Sequence, residues 1–324
     1  YKVDGFRFDF TKGFTNTPGD GGAYDISRIN ILKRMALRIW DTNPDAYVIL
    51  EHFAENTEEK NLADFGMMIW GNITHNYNEA TMGYSSDISW ASYKARGWNA
   101  PNLVSYMESH DEERLMYKNL QYGNTLGDYN IKYLYTAMER IELAANFFIP
   151  IPGPKMIWQF GELGYDFSIN RCPDGTINDD CRVSNKPIRW DYFEDKGRQR
   201  IYYVYKALNE LKQKYDVFQT SNYTITQSGK LKSIHLIDDE MNVVILGNFD
   251  MESKNINPNF PATGKWYEFY SGDSINVTDT QEEISLNRGE YRLYTNIKLT
   301  TPSIPVGIDE EIVIQQDLTV YPNP

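Results

Sequence analysis

Residues 3–10 read VDGFRFDF. Phe and Val dominate the stretch and no helical spacing of apolar residues fits it, so it reads as a β-strand. Yet Arg7 and Asp9 stand two positions apart in a run that otherwise belongs in a core. Side chains alternate across a strand, so Val3, Gly5, Arg7 and Asp9 share one face while Phe6, Phe8 and Phe10 share the other. A parallel barrel accommodates this pattern. The three Phe would face a helical shell, and Arg7 and Asp9 would point inward, with Asp9 at the C-terminal end where the active sites of such barrels lie. A guanidinium beside Asp9 favours the ionised carboxylate and keeps it available as a base or nucleophile. The plain alternative is a structural ion pair.

Working outward, a Gly-rich loop (TPGDGG, 17–22) leads into an amphipathic helix over 24–40. Ile26, Ile29, Leu32, Met35 and Ile39 recur there at helical spacing, Asp25 is the N-cap, and Asn43-Pro44 ends the element. AYVILE (46–51), GMMIW (66–70), LVSYME (103–108) and KMIWQF (155–160) read as four further strands, and 129–148 and 198–215 as helices. Strands alternating with helices predict parallel βαβ units. A closed (β/α)8 barrel allots about 31 residues to each unit. Asp9 and Glu51 are 42 residues apart, one unit with a long loop, and Glu51 and Asp111 are 60 apart, two units. Beyond residue 220 the pattern changes to short strands with turn signals, from NYTITQ (222–227) to EYRLYT (290–295), which predicts a small antiparallel domain.

Composition narrows the function. With 32 Lys and Arg against 45 Asp and Glu, the net charge of −13 lacks the basic face of a nucleic-acid binder. The most apolar run, LAANFFIPIP (143–152), is broken by Asn and Pro and falls short of the roughly 20 residues of a membrane span. Cys172 and Cys181 bracket a turn-rich segment at a spacing that suits a disulfide in an exported protein or, otherwise, a free thiol pair; neither has companions at zinc-ligand spacing. The chain opens inside a strand with neither Met nor signal peptide, which reads as a truncation.

Three strand ends carry acids: Asp9, Glu51, and His110-Asp111 in MESHDEER (107–114). Carboxylates converging on one barrel rim repel one another, and their pKa values split into acid and base. A protonated and an ionised carboxyl flanking an acetal are the tools of glycoside hydrolysis. Glu55 competes with Glu51 as the acid, but Glu51 ends an apolar strand while Glu55 opens a polar helix region; Glu162 reads as a loop anchor.

GFRFDFTK (5–12), the terminal Glu of VILE (48–51) and ESHD (108–111) resemble, in order, the fourth-, fifth- and seventh-strand motifs of the α-amylase family, glycoside hydrolase family 13. GPKMIWQFGELG (153–164) is similar to that family's eighth strand and KPIRWDY (186–192) to the segment before its last barrel helix. The resemblance implies Asp9 as nucleophile oriented by Arg7, Glu51 as general acid/base, Asp111 as transition-state stabiliser, His110 on sugar hydroxyls and Lys12 in acceptor subsites. Gly13 stands where the family usually has His, and Ser109 where it often has Asn. The first departure clouds a calcium site, because that histidine position commonly lends its backbone carbonyl to calcium. No cofactor is implied with certainty, and calcium remains a candidate for the complete enzyme.

The expected fold is therefore α/β: a partial (β/α)8 TIM barrel holding strands four to eight (1–218), then an antiparallel β-sandwich (219–296). A linker (297–315) and the start of a sorting segment (316–324) follow, LTVYPNP resembling that of type IX secretion. The expected function is retaining hydrolysis of α-1,4-glucosidic bonds in starch-like glucans by a secreted or cell-surface bacterial protein. Alternatives are a transglycosylase or oligosaccharide glucosidase of the family, or a non-catalytic glycan-binding scaffold. The partner is an α-glucan polysaccharide or oligosaccharide, with no nucleic acid and no membrane span, and the fragment alone is expected to be inactive because an open barrel leaves edges uncovered.

Overall fold

The computed structural model describes residues 2–226 and 228–305. Its first part is an open parallel sheet of five strands in chain order: β1 (Gly5–Phe8), β2 (Tyr47–Leu50), β3 (Met68–Asn72), β4 (Leu103–Tyr106) and β5 (Lys155–Met156). Helices α1 (Ile26–Trp40), α2 (Asn56–Asp64), α3 (Thr74–Thr81), α4 (Leu115–Tyr122), α5 (Leu134–Asn146) and α6 (Lys196–Lys214) alternate with the strands. This is part of a (β/α)8 barrel, with the two outer edges, on β1 and β5, unpaired among the described residues.

Alternation along the strands separates two layers. Val48, Leu50, Ile69 and Leu103 face outward and join Ile29, Leu32 and Ala36 of α1 and Leu62 of α2 in the main core. The opposite parity holds Arg7, Ile49, Met68, Trp70, Val104, Tyr106 and Met156, register partners across the five strands, and the apolar ones among them form a separate inner cluster. Asp25 caps α1 as its sequence predicts, accepting from Ser27 N at 2.8 Å and Arg28 N at 3.3 Å.

Two expectations fail at the edge. Of the three Phe in the first strand only Phe8 packs on the core; Phe6 and Phe10 are 47% and 53% exposed. Phe6 belongs to an edge strand, and Phe10 lies past the strand in the left-handed region, φ 45°. Ile26 is likewise 54% exposed, because α1 buries the face of Arg28, Ile29, Leu32 and Ala36.

The second part is antiparallel. Strands β6 (Tyr223–Thr226), β7 (Leu231–Leu236), β8 (Val243–Asn248), β9 (Lys254–Ile256), β10 (Gly264–Glu268), β11 (Ser274–Val277), β12 (Ile284–Leu286) and β13 (Tyr291–Thr295) form two sheets. One has six strands, ordered β11-β10-β13-β8-β7-β6, and the other is the pair β9-β12. The apolar run of β8 is buried on both faces: Val243 and Ile245 join the barrel helices' core, while Val244 and Leu246 join Trp266, Phe260 and Leu286 in a second one. At Gly247 a Cβ would stand 2.2 Å from the Phe147 ring, so glycine permits the close approach of the strand to the C-terminal end of α5. Residues 297–305 have no helix or strand, yet Leu299 and Ile304 pack on the main core, so the start of the expected linker lies against the body of the protein. The rest of that linker and the expected sorting segment fall outside the described residues.

Buried Arg140 of α5 ties the two parts together. Its guanidinium donates to Thr81 O (2.9 Å) and Ala80 O (2.8 Å) at the C-terminal end of α3 and to Phe249 O (2.7 Å) after β8. Replacing it, as Arg140→Met, orphans three carbonyls and should lower folding stability by about 2–4 kcal/mol. Urea denaturation checks this; an unchanged midpoint with an unchanged slope would show that the carbonyls find other donors.

Candidate active site

Parallel pairing of β1 with β2 aligns Arg7 with Ile49 and Phe8 with Leu50, so the next residues out, Asp9 and Glu51, emerge side by side. Backbone bonds continue the alignment past the strand ends, Glu51 N to Phe8 O at 3.0 Å and Thr11 N to Glu51 O at 2.8 Å. Arg7 lies between the two acids. Its Nη1 is 2.6 Å from Asp9 Oδ1 and its Nη2 is 2.7 Å from Glu51 Oε2, with the guanidinium carbon 4.3 Å from the centre of the Trp70 ring. The left-handed turn at Phe10 aims its N–H at Glu51 Oε2, 3.1 Å away. Phe53 (φ 51°), beyond the end of β2, and Phe160 (φ 57°), beyond β5, adopt the same unfavourable conformation, so three phenylalanines on one rim carry backbone strain of the kind that gathers at functional sites.

The environment divides the two carboxyls. Burial pushes the Glu51 carboxyl up from its ordinary 4.5, outweighing the Phe10 N–H and Arg7, which pull it down. Asp9 is held below its ordinary 3.8, first by hydrogen bonding with Glu51 and then by Arg7. One group is set to keep a proton and its neighbour to lose one.

From the end of β4, His110 and Asp111 reach the same place: oxygen or nitrogen atoms of Glu51, His110 and Asp111 all lie within 4.8 Å of one another. His110 Nε2 is 3.2 Å from Asp111 Oδ2, and its ring stands 6.0 Å from Trp70 and 5.9 Å from Trp158. Ser109, at the position noted as a departure, accepts the Asp111 N–H on its Oγ at 3.1 Å. The structure thus brings together Arg7, Asp9, Glu51, His110 and Asp111. Lys12 is different: its ammonium lies over the Phe10 ring at 5.4 Å, its charge acts on Asp20, and no contact among the described residues joins it to the three acids. Glu55 is the N-cap of α2, accepting from Thr57 N, which removes it as a rival to Glu51. Sequence reasoning missed Trp70, Trp158 and Arg182, whose Nη1 is 3.6 Å from Asp111 Oδ1. Strand parity in GMMIW was signal enough for Trp70; nothing local marks Arg182.

No protein-family model matches the chain, and no curated protein matches it. Solved structures do. An α-amylase from Geobacillus thermoleovorans in complex with acarbose aligns with TM-score 0.62 at 13% identity, over 84% of this chain and 59% of that one. AmyP in complex with maltose gives TM-score 0.67 at 14% identity over 93% and 65%. The α-amylase from H. orenii gives 0.61 at 14% over 90% and 61%. The likeness is one of fold. The chain spans about three-fifths of the length of the structures it matches.

Beneath the strand ends lies a buried relay. Thr11 Oγ1 donates to Glu51 O (3.0 Å) and meets His52 Nδ1 (2.9 Å), His52 Nε2 meets Glu58 Oε1 (2.9 Å), and Glu58 takes Arg28 through Nε (2.7 Å) and Nη2 (2.8 Å). The same guanidinium gathers the carbonyls of Lys12 (2.5 Å), Gly21 (2.8 Å) and Ala23 (2.9 Å). The loop expected to lend a carbonyl to calcium near Gly13 therefore converges on an arginine whose charge Glu58 already balances. The Lys12 carbonyl beside Gly13 is thus taken up by that guanidinium. The Glu58 carboxyl is held down at about 2 by His52 and Arg28 against the opposing effect of burial. A depressed folded-state pKa contributes stability that is complete above the ordinary 4.5 and disappears as pH falls through about 2. Glu58→Gln should thus be less stable than the parent at neutral pH, and the gap should close as acid approaches about pH 2, as read by denaturant titration.

Proposed function

We propose that this chain supplies the catalytic carboxylates of a retaining glycoside hydrolase of α-amylase type, acting on α-1,4-linked glucan. The observation that carries the proposal is the single guanidinium of Arg7 touching both Asp9 and Glu51, at 2.6 and 2.7 Å. Carboxyls near enough to hydrogen-bond each other as well as share one guanidinium leave little room for the water that an inverting site holds between acids roughly 6.5–9.5 Å apart, which supports a retaining pair.

In the first step Asp9 attacks the anomeric carbon while Glu51 gives its proton to the departing glycosidic oxygen, leaving a glycosyl ester on Asp9. In the second, Glu51 takes a proton from water, which attacks the same carbon and frees Asp9, so the configuration is retained. Asp111 stabilises the oxocarbenium-like transition state, and His110, braced between Trp70 and Trp158, binds sugar hydroxyls. Lys12 serves an acceptor subsite only if its ammonium leaves the Phe10 ring. A sugar hydroxyl in place of the water in the second step turns the same machinery to transfer. Product analysis separates hydrolysis from transfer, and retained binding with no turnover would favour a scaffold.

Acarbose and maltose are bound by two of the solved structures of like fold, which supports an oligosaccharide ligand here. Export is part of the proposal. Cys172 and Cys181 form a disulfide, a bond that persists in oxidising compartments, whereas the type IX sorting segment rests on the sequence of 318–324 alone. No described helix is long and apolar enough to cross a membrane.

In a protein that supplies a complete barrel, Asp9→Asn and Glu51→Gln should each lower kcat on soluble starch by at least about 1,000-fold, while the isolated 324-residue chain, with its open edges, should release no reducing ends. Full activity of Asp9→Asn removes the nucleophile assignment. The pH profile of kcat/KM should be a bell. Activity is lost as pH falls through the Asp9 value, below 3.8, and as pH rises through the Glu51 value, above 4.5. An alkaline limb that survives in Glu51→Gln would exclude Glu51 as the acid.

A further inference from the structure

The segment between β5 and α6 is exposed over much of its length, yet it is fastened at many points. Glu113, two residues past Asp111, accepts from Ser168 Oγ and Ile169 N, both at 2.8 Å. Asn178 N donates to Asn170 O (2.9 Å), Cys172 N to Thr176 O (2.7 Å), and the Cys172–Cys181 bond closes the loop with its Cα atoms 5.1 Å apart. The fastening converges on the residue after the bridge. The Arg182 N–H donates to Asp179 O at 3.2 Å, and Lys186 Nζ lies across the carbonyls of Cys181 (2.8 Å), Arg182 (3.3 Å) and Ser184 (2.8 Å).

The side chain that this backbone presents has one recorded partner among the described residues, Asp111, with Nη1 3.6 Å from Oδ1. The other oxygen of Asp111 faces His110 Nε2 at 3.2 Å. Each oxygen of the carboxyl therefore has its own nitrogen partner, one from its chain neighbour and one from a loop about 70 residues further along the chain. With the two side chains 53% and 35% exposed, the ion pair contributes little to stability. What it can do is fix the plane of the carboxyl.

We propose that Arg182 is a positioning residue for Asp111 and that the Cys172–Cys181 bridge holds it in place. The proposal rests on the catalytic assignment of Asp111 made above. Turning a carboxyl by an ångström away from the reacting sugar costs up to about 100-fold in rate. Because the bridge fixes the backbone next to Arg182, opening it has the same consequence as removing the guanidinium.

The test uses the protein with a complete barrel and five variants. Arg182→Met should lower kcat on maltooligosaccharides about 10- to 100-fold with KM changed far less and the melting temperature unchanged, and Arg182→Lys should recover most of the loss. The double variant Cys172→Ser/Cys181→Ser should show the same fall in kcat, and adding Arg182→Met to it should cost little more, since the two act through one contact. A kcat for Arg182→Met within about twofold of the parent overturns the positioning role. Losses that multiply when the changes are combined overturn the link to the bridge. If the Ser variants do not fold, as read by their melting curves, Arg182→Met decides the positioning role by itself, because it alters an exposed side chain. Asp111→Asn separates the two levels of the proposal. Parental turnover in that variant refutes the catalytic assignment and the proposal with it, whereas an inactive Asp111→Asn beside a fully active Arg182→Met refutes the positioning alone.

Discussion

Two carboxylates placed at neighbouring strand ends repel each other, and the rest of the site follows from how that repulsion is relieved. Arg7 relieves it from within the same strand that carries Asp9, reaching Asp9 with one terminal nitrogen and Glu51 with the other. The guanidinium could not hold that position in open water; it rests on the Trp70 ring, which is buried between Arg7 and Tyr106 on the inner face of the sheet. From this follow the need for exact β1–β2 register, the left-handed turn that brings the Phe10 N–H to Glu51, and the opposite movement of the two pKa values. A slip of one residue would send Arg7 to the helical side and leave two unshielded acids behind.

Buried arginines recur as the fastening elsewhere. Arg28 gathers three loop carbonyls beneath the site and Arg140 three more between barrel and β domain. Both solve the same problem, since the loop after β1, the end of α3 and the residue after β8 leave carbonyls without a ladder or helix partner and a five-donor fork satisfies several at once. The difference between them is in charge. Arg28 is neutralised by Glu58 in direct contact, while Arg140 lies among carbonyls and over the Phe249 ring with Asp250 and Glu139 acting on it as charges.

Much of the architecture was legible from residues alone. Period-two alternation in VDGFRFDF placed Arg7 and Asp9 on one face, Asp25 announced the start of α1, and the change to short strands after residue 220 marked the β domain. Misreadings came where a residue's neighbours were assumed. Phe6 and Ile26 look like core residues, but burial depends on what stands across from them: the edge position of β1 leaves Phe6 uncovered, and α1 turns the face of Arg28, Ile29, Leu32 and Ala36 inward instead of Ile26. Lys12 shares the strand-end segment with Asp9, yet a 3-10 turn at Thr11–Gly13 carries it away towards Phe10.

Which residue types occupy the ends of strands is a property of the chain, and local periodicity reports it because strand geometry repeats every two residues. It marked Asp9 and Glu51, each one residue past its strand, whereas Asp111, five residues past β4, was marked by the resemblance of ESHD. Their meeting within a few ångströms, the aromatic floor under Arg7 and the approach of Arg182 to Asp111 depend on closure of segments separated by 40 to 100 residues. Such contacts leave no periodic trace, since they arise only when sheet twist, helix packing and a disulfide set the relative placement of distant loops.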